Sequence, residues 1–179
     1  EPAKAEAAAD RLDKTGPAAL GHLVHMPSHI YYRLGRYRDS IEANKRAVEA
    51  DEAYLAKAGD DGLVRFGYYP HNVHFLLTSA QAMGDVPTVI SQTEKLESVI
   101  DAEIGRDLYW VQAIYAAPYF AHAQYSSPEA IIALTAEPHP LEYVEAMRRY
   151  ARAVAIALNP KLGDFAAEIA AMERLANSD

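Results

Sequence analysis

The chain has 179 residues, half of them hydrophobic, which is enough to bury a core as one domain over 1–179. A formal net charge of −8 argues against nucleic acid and against anionic membranes, both of which call for a concentrated positive surface. There is no cysteine, so disulfides, thiolate metal sites and cysteine nucleophiles are excluded, and no apolar run reaches the ~20 residues of a membrane helix. The first residues lack the basic and apolar blocks of a secretory signal, which leans the expectation towards the cytoplasm. They begin abruptly, as the middle of a helix does, and so predict a segment of a longer protein.

Alanine, leucine and charged residues fall at helical spacing throughout, and β-branched alternation is nearly absent, so the chain is expected to be all-α. A leading helix is predicted from Glu1 to Lys14, closed by Thr15-Gly16-Pro17 with glycine in the left-handed cap conformation. A second helix then runs to a short turn, Leu34-Gly35-Arg36-Tyr37, and a third covers about Arg38 to Lys57. A loop is expected from Gly59-Asp60-Asp61-Gly62 to Tyr69.

The turn recurs as Met83-Gly84-Asp85-Val86, between helices near Pro70 to Ala82 and Pro87 to Ile100. It recurs again as Leu162-Gly163-Asp164-Phe165, between helices near Leu141 to Leu158 and Phe165 to Ala176. A degenerate copy is expected over about 104–136, with a helix start at Ser127-Pro128-Glu129. The clearest repeats are then about 21–57, 70–100 and 141–176. A helix pair cannot bury its apolar face alone, so stacked neighbours are expected, and an exposed apolar end would favour a homodimer.

The run from Ser28 to Asp51 resembles the tetratricopeptide repeat, with small residues at Ser28, Ser40 and Ala47 and large ones at Tyr31, Leu34 and Tyr37. The resemblance implies a right-handed α-α superhelix. Leu34 to Met83 is 49 residues, against about 34 in a regular array, so the superhelix is not uniform. The stretches from Gly21 to Tyr31 and from Tyr69 to Leu76 also resemble a bacterial group of longer tetratricopeptide proteins without a defined biochemical role. That likeness implies that this chain is their C-terminal part.

Five of the seven histidines occupy two short segments. His22, His25 and His29 are spaced i, i+3, i+7, and His71 and His74 repeat the i, i+3 step beside Asn72. Aligning the two turns sets His22 level with His71 and His25 level with His74. First helices line the concave groove of tetratricopeptide arrays, and the next one offers Gln112, Tyr115, Tyr119 and His122 along one face. Three readings stay open. The rings form a hydrogen-bonded network, or the groove is a non-catalytic scaffold for a protein segment or small polar ligand. The third is a metal-binding or metalloenzyme module in which His25, His29, His71 and His74 hold zinc, copper, nickel or iron.

Pro27 either kinks the helix that carries the first histidines or starts it, and in the second case the stripe breaks. Arg148, Arg149 and Arg152 are expected to be a solvated face paired with Glu142 and Glu145. Tyr109, Trp110 and Phe120 are expected in or beside the core, and Tyr68-Tyr69 against the groove mouth. Glycine-rich phosphate loops, His-Glu-x-x-His and Gly-x-Ser-x-Gly are absent from the sequence.

Overall fold

The computed structural model describes residues 1–59 and 62–177, and among these it is helical with no strand. The chain divides into two compact units, Glu1–Ile100 and the remainder from Asp101. No described helix is long and apolar enough to cross a membrane.

The first unit contains α1 (Pro2–Thr15), α2 (Gly21–Arg33), α3 (Tyr37–Ala58), α4 (Tyr69–Met83) and α5 (Val86–Val99). Each helix packs on the next in the chain, and α2 also touches α4. The connections at 34–36 and 84–85, three and two residues long, are tight because Gly35 and Gly84 take positive φ, 75° and 77°, a region that costs other residues dearly. Small residues on α3, namely Ser40, Ala43 and Ala47, are fully buried and let α2 and α4 approach it from either side. Val73, Leu76, Leu77 and Ala80 of α4, with Val89 and Leu96 of α5, complete the core.

Arg36 clamps the leading helix. Its guanidinium reaches Glu6 at 3.0 Å, Asp10 at 2.9 Å and Asp39 at 2.7 Å, and lies 4.3 Å from the Tyr31 ring centre.

Two expectations for this unit need correction. Gly16 ends α1 in an extended conformation (φ −68°), not a left-handed one. Glycine is needed there for another reason, since a Cβ would fall 2.6 Å from the Leu12 carbonyl oxygen. Residues 62–68 are not a loop: they form a helical turn of π type over Val64–Tyr68 that runs straight into α4, while Asp60 and Asp61 lie outside the described residues. Of the two readings of Pro27, the structure has the one inside the helix: α2 runs from Gly21 through Pro27 to Arg33.

The second unit contains α6 (Ala102–Asp107), α7 (Gln112–Tyr125), α8 (Pro128–Leu134), α9 (Glu142–Leu158) and α10 (Phe165–Ala176). Ser127 starts α8 by accepting a bond from the Ala130 amide at 3.2 Å, as its motif predicts. α8 spans only 7 residues, and α9 packs against α7, α8 and α10 together. Ile131, Ala151 and Ala155 form its buried centre.

The arginines of α9 are not a solvated face. Arg148 is 2% exposed and pairs with both oxygens of Glu145 at 2.6 Å, while donating to the Thr135 carbonyl. Glu168 of α10 accepts from Arg149 at 3.0 Å and Arg152 at 2.8 Å. A buried guanidinium persists only where carboxylates and carbonyls compensate it, and α8, α9 and α10 supply them. Conversely, Tyr109 and Trp110, expected in or beside the core, are 78% and 52% exposed, while Phe120 is 38% exposed with its ring 5.7 Å from that of Tyr150.

Replacing Glu145 with alanine strands Arg148 as an uncompensated buried charge. The expected loss is about 3 kcal/mol of unfolding free energy, measured by urea denaturation. A loss under about 1 kcal/mol, the usual worth of an exposed pair, contradicts this account of α9.

Candidate metal centre

The site is built on one face of α2, α3 and α4. His25 and His29 are one turn apart on α2, so both rings leave the same side of the helix. Their Nε2 atoms lie 2.8 Å apart. The Nε2 of His71, from the start of α4, lies 3.0 Å from that of His25. All three nitrogens fall within 4.8 Å of one another, and among the described residues this is a cluster with metal-ligand spacing. Phe75, one turn after His71, meets the His25, His29 and His71 rings at 5.0, 4.6 and 5.7 Å between centres.

Asn44 of α3 decides which nitrogen of His25 carries the proton. Its Nδ2 donates to the Ser40 carbonyl at 2.8 Å, so its carbonyl oxygen faces His25, 2.6 Å from Nδ1. That oxygen can only accept, so Nδ1 bears the hydrogen and Nε2 is left with a bare in-plane lone pair. Ser28 Oγ lies 3.3 Å from the same Nδ1. The arrangement is the one by which a carbonyl or carboxylate behind a ligating histidine fixes its tautomer and orientation.

Burial sets the charge of the cluster. Loss of solvent pushes the pKa of His25 down to about 3, against the support of Asn44 and with the help of His71, His29 and His22. Burial first, then His29 and His22, holds His71 at about 4, and His29 is lowered by burial and by His22. The rings are neutral at pH 7.

Of the histidines named from the sequence, the structure therefore brings His25, His29 and His71 together. His74 is not part of the triplet. Burial and His71 hold its pKa at about 4. The pairing is offset from the sequence alignment, because His25 meets His71 rather than His74. His22 stacks on Tyr68 at 4.2 Å and on His25 at 6.1 Å between centres, beside the cluster rather than in it. Asn72 is buried and donates to Asp51 at 2.7 Å.

Gln112, Tyr115, Tyr119 and His122 belong to the second unit. There Gln112 donates to the Gly105 carbonyl at 2.8 Å, Tyr115 is 2% exposed, and His122 Nδ1 lies 3.0 Å from Ser126 Oγ. Tyr119 packs on the core of Ile131, Ala151 and Ala155.

Asn44, Phe75 and Asp51 are absent from the residues singled out by sequence. A signal for Asn44 was available: it sits on the inward stripe of α3 with Ile41, Ala43, Ala47 and Val48, where an amide has no business without a polar partner.

No family model, no curated protein and no solved structure matches the chain. Function must therefore be sought in the chemistry of these side chains.

The lowered histidine pKa values make the first unit acid-sensitive. The unfolded chain takes up protons near pH 6.5, whereas the folded rings do so only near pH 3–4, so stability is complete above 6.5 and is lost as pH falls through that window. Each such ring costs about 1.4 kcal/mol per pH unit. Asp51, raised to about 6 by burial, works the other way below pH 6, one carboxylate against at least three rings. Thermal melts followed by circular dichroism should show the first transition falling by several degrees per unit from pH 6.5 to 5. A flat midpoint across that range would show that the rings are not buried neutral.

Proposed function

We propose that this chain is a helical-repeat scaffold of the tetratricopeptide kind whose first unit holds a transition-metal ion on His25, His29 and His71. One observation carries the proposal. The single Nε2 lone pair of His25, its proton fixed on the far nitrogen by Asn44, faces two further imidazole nitrogens at 2.8 and 3.0 Å.

One lone pair accepts one good hydrogen bond. Two neighbouring rings cannot both be served by it, and a cation in place of the shared protons satisfies all three. Metal–nitrogen bonds of ~2.0–2.1 Å at tetrahedral angles put the nitrogens about 3.3 Å apart, a few tenths of an ångström beyond the spacing found. Neutral imidazole is a ligand for zinc, copper, nickel and iron alike, and the shared chemistry of the donor set does not choose among them. Three protein ligands leave a coordination position for water or an added anion. The order of helices and the chain-neighbour packing of α1 to α5 support the repeat architecture.

Metal-stripped protein titrated with Zn(II), Cu(II) and Ni(II) by calorimetry should take up one ion per chain. His29→Ala, at the open side of the cluster, abolishes stoichiometric uptake, and Asn44→Ala weakens it about 10- to 100-fold by freeing the His25 tautomer. His74→Ala leaves uptake unchanged. Absence of uptake by folded wild-type protein, or full uptake by His29→Ala, overturns the proposal.

A further inference from the structure

A cavity of about 330 Å³ opens beside the histidine cluster in the same unit, between the first turn of α2, the end of α3 and the π turn. Leu20, Tyr54, Val64 and Tyr68 give it an apolar and aromatic wall, and its polar groups come from Asp51 and His22. Its volume falls at the lower end of the ~300–1,000 Å³ typical of small-molecule sites, which are likewise apolar with a few placed polar groups.

Both polar groups are short of partners. Asp51 is 4% exposed, yet it accepts from Asn72 and is faced by no cation among the described residues. Burial and the like charge of Glu52 both oppose its ionisation, against the hydrogen bond from Asn72. A buried carboxylate is costly unless a cation compensates it. His22 Nδ1 is buried and has no hydrogen-bond partner among the described residues, though its ring is held flat on Tyr68 at 4.2 Å between centres. Gly21 makes the arrangement sterically feasible, because a Cβ there would lie 2.0 Å from Asp51 Oδ1.

We infer that this cavity binds a small primary ammonium carrying a short apolar or aromatic body, with Asp51 as its counter-ion and His22 Nδ1 as a second acceptor. The ammonium supplies the missing charge partner, its N–H groups reach both acceptors, and the phenol faces of Tyr54 and Tyr68 favour a cation beside them. The body of the ligand takes the space bounded by Leu20 and Val64. The inference is independent of the metal, since none of the groups it uses is among His25, His29 and His71.

The test uses metal-stripped full chain and three probes of one shape: 2-phenylethylamine, 2-phenylethanol and phenylacetate, titrated by calorimetry at pH 7. The amine should saturate and bind about tenfold or more tightly than the alcohol. Asp51→Asn, nearly isosteric and still able to meet Asn72, should abolish that preference, and His22→Phe, which keeps the stack on Tyr68, should weaken the amine alone. Circular dichroism melts establish that each variant is folded, and if Asp51→Asn is not, His22→Phe decides by itself. Equal binding of amine and alcohol, no saturable binding of the amine, an amine preference that survives in folded Asp51→Asn, or undiminished amine binding by folded His22→Phe overturns the inference. A preference for phenylacetate overturns it too, and would mean that the free N–H groups of the first turn of α2 set the sign of the site.

Discussion

The chain of hydrogen bonds that runs from Ser79 through Ser40 and Asn44 to His25 is the constraint on which the cluster depends. Ser79 Oγ gives its proton to the Phe75 carbonyl at 2.7 Å, so at the 2.7 Å contact between the two serines it is Ser40 that donates. Ser40 in turn offers its backbone carbonyl to the Asn44 amide at 2.8 Å. Asn44 Nδ2 donates to the Ser40 carbonyl and, at 3.5 Å, to the Ser40 hydroxyl, so the amide of Asn44 cannot turn over without losing buried bonds. The tautomer of His25 is therefore a consequence of packing among α2, α3 and α4. It is decided before any ligand arrives.

The same packing leaves a conflict at the other end of the ring. Three neutral imidazoles meet nitrogen to nitrogen in a place that has lost most of its water, and one lone pair must answer for two contacts. Folding concentrates that conflict because each ring is held by something else: His25 by Asn44, His71 by its place at the start of α4, and all three against the ring of Phe75. Sites where local satisfaction fails while the surroundings are well packed are where function is to be expected. The second unit offers the contrast. Its buried charges, Arg148 with Glu145 and Arg152 with Glu168, are answered in kind and hold helices together.

Helices and turns were legible in the sequence because each depends on a few neighbours in the chain. α10 begins and ends where its periodicity said, and Gly35 and Gly84 take the left-handed turn that their motif needs. Gly163, in the third copy of that turn, takes φ 166° after a 3-10 turn at Pro160–Leu162, so the copies share residues but not geometry. The histidine segments were legible as a cluster, but their pairing was not. Which ring of α4 meets His25 depends on the rotation and height of α4 against α2, and the π turn at Val64–Tyr68 that leads into α4 carries no periodic signature. Arg148 was misjudged for a related reason. Its i−3 partner Glu145 was visible in the sequence, whereas the Thr135 carbonyl that also compensates it, and the Glu168 that pairs with Arg149 and Arg152, come from elsewhere in the fold.

His22 is where the two sites of the first unit touch, and its position bears on whether they act apart. Its ring stacks on Tyr68 on the cavity side and on His25 on the cluster side, with centres 4.2 and 6.1 Å away. A cation on His25, His29 and His71 would lie one aromatic ring from an ammonium on Asp51, and in a low-dielectric interior two like charges at that remove would repel appreciably. The two occupants would then oppose each other, each weakening the other's binding by the same factor.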